Sequence, residues 1–176
     1  MANREALREL QTRLASRLQA ARTEGVSVAW LAVKAGERNY LLPLAQSGEI
    51  FPLAQVQRVP YTQHWFLGVV NLRGGLFGVV DLAGFVAGKG APIRVEQSLA
   101  QASVVTFNAV LDTSCALLVD TLAGLRKRDA FVSSGAPSAG SPACFGQVLT
   151  DSQGAQWQEI NLQALVQSAE FLSISV

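Results

Sequence analysis

Few side chains in this sequence could do covalent chemistry. His64 is the only histidine in the chain, and no second ligand-type residue stands close to it, so it reads as a surface or packing residue rather than a metal ligand. The two cysteines, Cys115 and Cys144, are in no metal-like spacing. Cys115 opens the apolar run Cys-Ala-Leu-Leu-Val and reads as a small buried hydrophobe. Cys144 ends a Ser/Gly/Pro stretch and is expected to be exposed. No disulfide is expected, in keeping with a reducing compartment. Residues 84–89, Gly-Phe-Val-Ala-Gly-Lys, echo a phosphate-binding loop, but the glycine spacing is wrong and no Ser or Thr follows Lys89. With one histidine and no nucleophile elbow there is no triad, and the acidic residues are scattered rather than paired. We therefore expect no enzyme activity, no cofactor and no metal.

The chemistry that remains is recognition. Residues 68–82 read Gly-Val-Val-Asn-Leu-Arg-Gly-Gly-Leu-Phe-Gly-Val-Val-Asp-Leu. Two apolar runs there flank a turn at residues 71–75, which predicts two strands with a tight connection. Asn71, Gly74 and Gly75 tolerate positive φ, so the reversal is expected at those residues. Arg73 is the exception in this apolar stretch. A guanidinium is permanently charged, so it must reach water or a partner, and a position at an outward-facing rim follows.

The run Gly68, Asn71, Leu72, Arg73, Gly74, then Asp81 and Leu82 resembles the signature of the CheW-like adaptor family of bacterial chemosensory arrays. Gly75 and Gly78 depart from the usual pattern, which favours branched residues there. Glu49-Ile50, Tyr40 and Leu118-Val119-Asp120 fit further family features.

Composition agrees with a binding module. The chain is 49% hydrophobic and only 15% charged, well below the usual quarter, so it can bury a core and still keep apolar surface. A net charge of +1 gives no basic field for nucleic acid. The start, Met-Ala-Asn-Arg-Glu, does not read as a signal peptide, and no apolar run approaches the roughly 18 residues of a membrane span. A cytoplasmic location is expected.

The elements follow from periodicity. Leu7, Leu10, Leu14, Leu18 and Ala21 recur at spacings of three and four, predicting a helix over residues 3–22 capped by Asn3 and ended at Thr23-Glu24-Gly25. Its leucine stripe is expected to pack on the chain's own β body, with docking on a partner as the alternative. A hairpin is expected over residues 26–42, turning at Gly36-Glu37. Residues 43–50 read as a connection, because Pro43 and Pro52 discourage a central strand. Strands are expected at 55–59, 103–110, 114–119, 145–150 and 157–161, with a flexible loop at 133–143. Residues 84–90 read as a Gly/Ala-rich loop. The cluster Arg126-Lys127-Arg128-Asp129 reads as a solvated loop or edge. Asn161 is expected to cap a short helix over 162–169 that turns Leu162, Leu165 and Val166 inward.

The class is therefore all-β. The resemblance refines it to two packed five-stranded SH3-like barrels in a CheW-like domain over residues 26–176, preceded by an added amphipathic helix over 1–25. It also implies a non-catalytic scaffold between a chemosensory histidine kinase (CheA-like regulatory domain) and the cytoplasmic tips of methyl-accepting chemoreceptors, with the pilus (twitching) branch as the nearest subgroup. Location at membrane-associated receptor arrays follows. By resemblance Arg73, Glu49, Gly68 and Asn71 are the partner-binding positions, and a Glu49–Arg73 pair is compatible with that role. The rival is a small β-barrel regulatory or RNA-binding module. It would need aromatic pairs in a basic groove, which near-zero net charge does not supply.

Overall fold

Several strands of this chain carry large apolar side chains on both faces, and the fold finds a core for each face. The computed structural model describes residues 2–23 and 29–176. In chain order the strands are β1 (Ala29–Ala35), β2 (Arg38–Pro43), β3 (Ser47–Pro52), β4 (Phe66–Leu72), β5 (Gly75–Asp81) and β6 (Ser103–Phe107). They continue as β7 (Cys115–Val119), β8 (Thr121–Lys127), β9 (Phe131–Gly135), β10 (Phe145–Asp151) and β11 (Gln156–Ile160). The α-helices are α1 (Ala2–Thr23), α2 (Leu82–Ala87), α3 (Glu96–Leu99), α4 (Leu162–Gln167) and α5 (Ala169–Leu172). A six-stranded sheet has the order β8-β1-β2-β11-β10-β9, and a five-stranded sheet has the order β3-β6-β7-β5-β4. The all-β, two-sheet architecture expected from the sequence is present, with one strand more in the first sheet.

Side-chain alternation assigns the cores. Along β1, Leu31 and Val33 enter the core shared by the two sheets, while Trp30 and Ala32 enter a separate cluster with Leu41, Phe131, Leu149 and Trp157. Along β7, Leu117 and Val119 face the shared core, and Ala116 and Leu118 join Val70, Leu72, Val79 and Val104 in a third cluster. Each sheet therefore curls around its own small core and also contributes to a larger common one. In the common core Trp65 stacks on Phe171 at 6.2 Å between ring centroids and meets Phe85 edge-on at 5.1 Å.

Several expectations are corrected by tertiary context. Of residues 43–50, read as connection, 47–50 belong to β3 (Ser47–Pro52); it is an edge strand with Pro52 as its last residue, a position a proline tolerates. Residues 55–59 are not a strand and make only a bridge from Gln57 to Val69. Residues 82–87 are the helix α2, despite their Gly/Ala content. Ser133–Gly135, assigned to a loop, complete β9 as an edge. Strand β6 stops at Phe107, where Asn108 caps a single 3-10 turn. Cys144 is buried, not exposed, and both cysteines are free thiols whose pKa values burial raises. Asn161 does cap α4, accepting from the Ala164 amide at 3.1 Å, and Leu162, Leu165 and Val166 are buried.

The helix α1 lies on this body, across β3 of one sheet and β8 of the other. Leu14 and Leu18 are buried in the shared core, so its stripe packs intramolecularly. Leu7 is half-buried, Leu10 is 49% exposed, and Gln11 takes the buried place between Leu7 and Leu14. The helix begins at Ala2, so Asn3 lies within its first turn rather than at its cap. The expected stop at Glu24 and Gly25, the strand start at Val26 and the side chain of Ala21 lie outside the described residues.

Burying one leucine contributes roughly 1.5–3 kcal/mol, and a helix of this length is marginal alone. Leu14 and Leu18 therefore order α1, while the sheets hold cores of their own. Removing residues 1–24 is expected to leave a cooperative thermal transition at a lower midpoint. A melt without any cooperative transition would mean that the sheets cannot fold without α1.

Candidate protein interaction site

The second sheet is closed where its two edges, β3 and β4, meet. After β3 the chain runs on to Gln57, whose amide donates to the Val69 carbonyl at 2.8 Å and whose carbonyl accepts from the Val69 amide at 2.9 Å. That approach requires Gly68. Its φ is +136°, and a Cβ there would lie 2.1 Å from the Gln57 carbonyl oxygen. Gly68 also adjoins a register shift in the β4–β5 pair.

The β4–β5 hairpin then turns in two residues. Leu72 pairs with Gly75, and the two residues between them, Arg73 and Gly74, have φ of +49° and +81°. Two-residue hairpins favour positive φ at both positions because that twist matches the flanking strands. The positive φ expected at Asn71 and Gly75 is thus displaced onto Arg73, a residue for which the left-handed region costs roughly 1–2 kcal/mol. Asn71 supports the turn by accepting the Gly74 amide on Oδ1 at 3.0 Å.

On the opposite edge, Glu49 lies in a bulge of β3 against β6. Its amide donates to Thr106 Oγ1 at 2.7 Å, and that hydroxyl donates back to the Glu49 carbonyl at 3.2 Å. Bulges re-aim side chains, and this one carries Glu49 toward the hairpin. Arg73 Nη1 reaches Glu49 Oε2 at 2.7 Å, and its guanidinium carbon stands 5.6 Å from the centre of the Phe51 ring. The Arg73 and Glu49 side chains stay 73% and 47% exposed. Two of the four sequence-predicted positions therefore form one exposed ion pair across the seam, Asn71 holds its turn, and Gly68 allows the seam to close.

A second charged group joins Asp81 and Asp120, both family-matching positions, to Arg94, which the sequence does not single out. Arg94 Nε and Nη2 donate to Asp81 Oδ2 and Oδ1, each at 2.8 Å, and its Nη1 reaches Asp120 Oδ1. Asp120 also accepts the Gly36 amide at 2.6 Å, tying the β1–β2 turn to the end of β7. Asp81 is buried and Arg94 is only 12% exposed. Burial opposes the Arg94 charge, but the bonds to Asp81 and Asp120 outweigh it and hold its pKa above the ordinary value. The signal that could have found it is a pair of apolar strands with an aspartate at the last residue of β5 and another just after β7, two carboxylates that call for a cation.

A family model described as CheW-like domain matches residues 29–170. The chain belongs to the CheW-like domain family. Within this family it is 28% identical over 114 residues to "Protein PilI" of Pseudomonas aeruginosa, a match that spans 65% of this chain and 61% of that protein. Its fold is similar to the scaffolding protein TtCheW of Thermoanaerobacter tengcongensis, with a TM-score of 0.63 at 17% identity over 82% of this chain and 96% of that one. The CheW-like match begins at β1, so α1 lies outside it. Among the described residues, no helix is long and apolar enough to cross a membrane.

The two charged sites of this CheW-like domain should respond differently to mutation. Arg73→Gly removes an exposed charge and relieves the strained φ, so the denaturant midpoint is expected to hold or rise. A clear fall would mean that the Glu49 pair contributes more than the ~1 kcal/mol of an exposed pair. Arg94→Met strands the Asp81 carboxylate and is expected to cost about 3–5 kcal/mol by the same measurement. A loss under about 1 kcal/mol would show that Asp81 reaches water without Arg94.

Proposed function

We propose that this CheW-like chain is a non-catalytic adaptor that couples the cytoplasmic tips of methyl-accepting chemoreceptors to the regulatory domain of a chemosensory histidine kinase. Its output is the control of type IV pilus twitching motility, and its place is at cytoplasmic receptor arrays. Family membership supports the adaptor role, the likeness to TtCheW, a scaffolding protein, agrees with it, and the similarity to PilI supports the pilus branch.

The observation that carries the reading is the exposed Arg73–Glu49 pair on a strained turn. Strain that contributes nothing to folding is expected at functional positions. An arginine held in place by Glu49 and Phe51 presents its planar fork with little further loss of freedom, which suits an interface anchor. Asn71 and Gly68 complete the site by fixing the turn and the seam beneath it.

Arg73→Gly is expected to weaken binding to the kinase regulatory domain or to a receptor-tip peptide by at least tenfold, equivalent to about 1.4 kcal/mol, with the fold intact. Unchanged affinity for both would leave Arg73 as a solvated turn residue. The absence of catalytic groups predicts no saturable ATP binding at micromolar concentration by calorimetry, and a measurable heat of binding would contradict the adaptor reading.

A further inference from the structure

We infer that a pocket between the β1–β2 turn and the chain around α2 binds a small zwitterion with an apolar body, of the α-amino acid class. The proposal is independent of the adaptor reading, and neither Arg73 nor Glu49 lines the pocket. The cavity is about 550 Å³, walled by Ala35, Tyr40, Ala83, Val86, Ala87 and Ile93. Its size and apolar lining are those of a small-molecule site. Ile93 stands on its wall 91% exposed, a large apolar side chain left to water beside a cavity. An apolar body seated there would cover it.

The pocket is held open by bonds already made. One wall, the β1–β2 turn, belongs to the first sheet; the other, α2 and residues 88–95, follows β5 of the second. Asp120 fastens both. Its Oδ2 accepts the Gly36 amide at 2.6 Å, and its Oδ1 accepts from Arg94 Nη1. Arg94 also grips Asp81 with two bonds, which ties residues 88–95 down beside the cavity. The walls meet where a Cβ on Gly36 would come 3.3 Å from the Ala83 Cβ. A site fixed in this way loses little freedom when it is filled.

The charges at the pocket select the ligand. Glu37 and Arg38 are adjacent, exposed and of opposite sign, and both line the cavity. Among the described residues neither stands in an ion pair, with the other or with any third group. Arg94, the other cation on the lining, is spent on its two aspartates. The pocket therefore offers one open carboxylate and one open guanidinium. A ligand with a single charge would meet one complement and one like charge. A zwitterion meets two complements, its carboxylate at Arg38 and its ammonium at Glu37, with the apolar side chain in the cavity.

The test is an amide-detected NMR titration of the full chain with L-phenylalanine, and with phenethylamine and 3-phenylpropanoate as its single-charge analogues. L-Phenylalanine is expected to give saturable shifts at Gly36, Glu37, Arg38, Val86 and Ile93, and each analogue to bind roughly tenfold more weakly or less. Glu37→Gln is expected to weaken L-phenylalanine by a similar factor without weakening 3-phenylpropanoate. Arg38→Gln should do the same without weakening phenethylamine. Ala87→Trp is expected to fill the cavity and abolish the shifts. These three side chains are exposed, and the comparison of ligands on the wild type needs no variant to fold. Absence of saturable shifts, or equal affinity for L-phenylalanine and either analogue, would overturn the proposal. Shifts of the same amides with protein concentration alone would also overturn it, by giving the pocket to a second copy of the chain.

Discussion

The constraint that governs this molecule is that its central strands have no solvent face. Strands β1, β6 and β7 bury side chains on one side in the shared core and on the other in the core of their own sheet. Such strands tolerate charge only at their ends, and any carboxylate placed there needs a cation. Asp81 and Asp120 end β5 and follow β7, and Arg94 answers both. The same constraint requires edges to be disposed of. The second sheet does so by curling until the chain beyond β3 meets β4 at Gln57 and Val69.

This geometry explains what was legible in the residues and what was not. Features set by near neighbours were readable: the leucine stripe of α1, the β4–β5 signature and the Asn161 cap. Features set by distant partners were not. Strand β3 exists because β6 offers it an edge and Thr106 completes its bulge, and nothing within residues 47–52 announces that. Gly84 fits in α2 because a Cβ there would approach Asp81 Oδ2 to 3.0 Å, a packing reason that composition cannot convey. Cys144 looked exposed because of its Ser/Gly/Pro neighbours, yet its side chain lies in the shared core. Glu49 and Arg73 could each be singled out, but their meeting depends on how the sheet curls.

The hairpin at Arg73 shows stability and recognition pulling apart at one residue. A glycine or asparagine would suit the left-handed conformation better, and the exposed ion pair returns little of that cost. The arginine is therefore at odds with its own backbone, while every neighbour is arranged to hold it: Glu49 by a bulge, Phe51 by its ring, Asn71 by the turn. Local conflict amid surrounding agreement is where a binding role is expected.

The order of strands along the chain has a consequence for synthesis. The second sheet uses β3 to β7 in an uninterrupted stretch, whereas the first draws β1 and β2 from before it and β8 to β11 from after it. One sheet is thus inserted within the other. On the ribosome the inserted sheet has all its strands once Val119 has emerged, while β2 still lacks its parallel partner, since Tyr40 must wait for Gln158. The β1–β2 hairpin therefore spends most of translation with apolar flanks unpaired, the interval in which it is most open to aggregation.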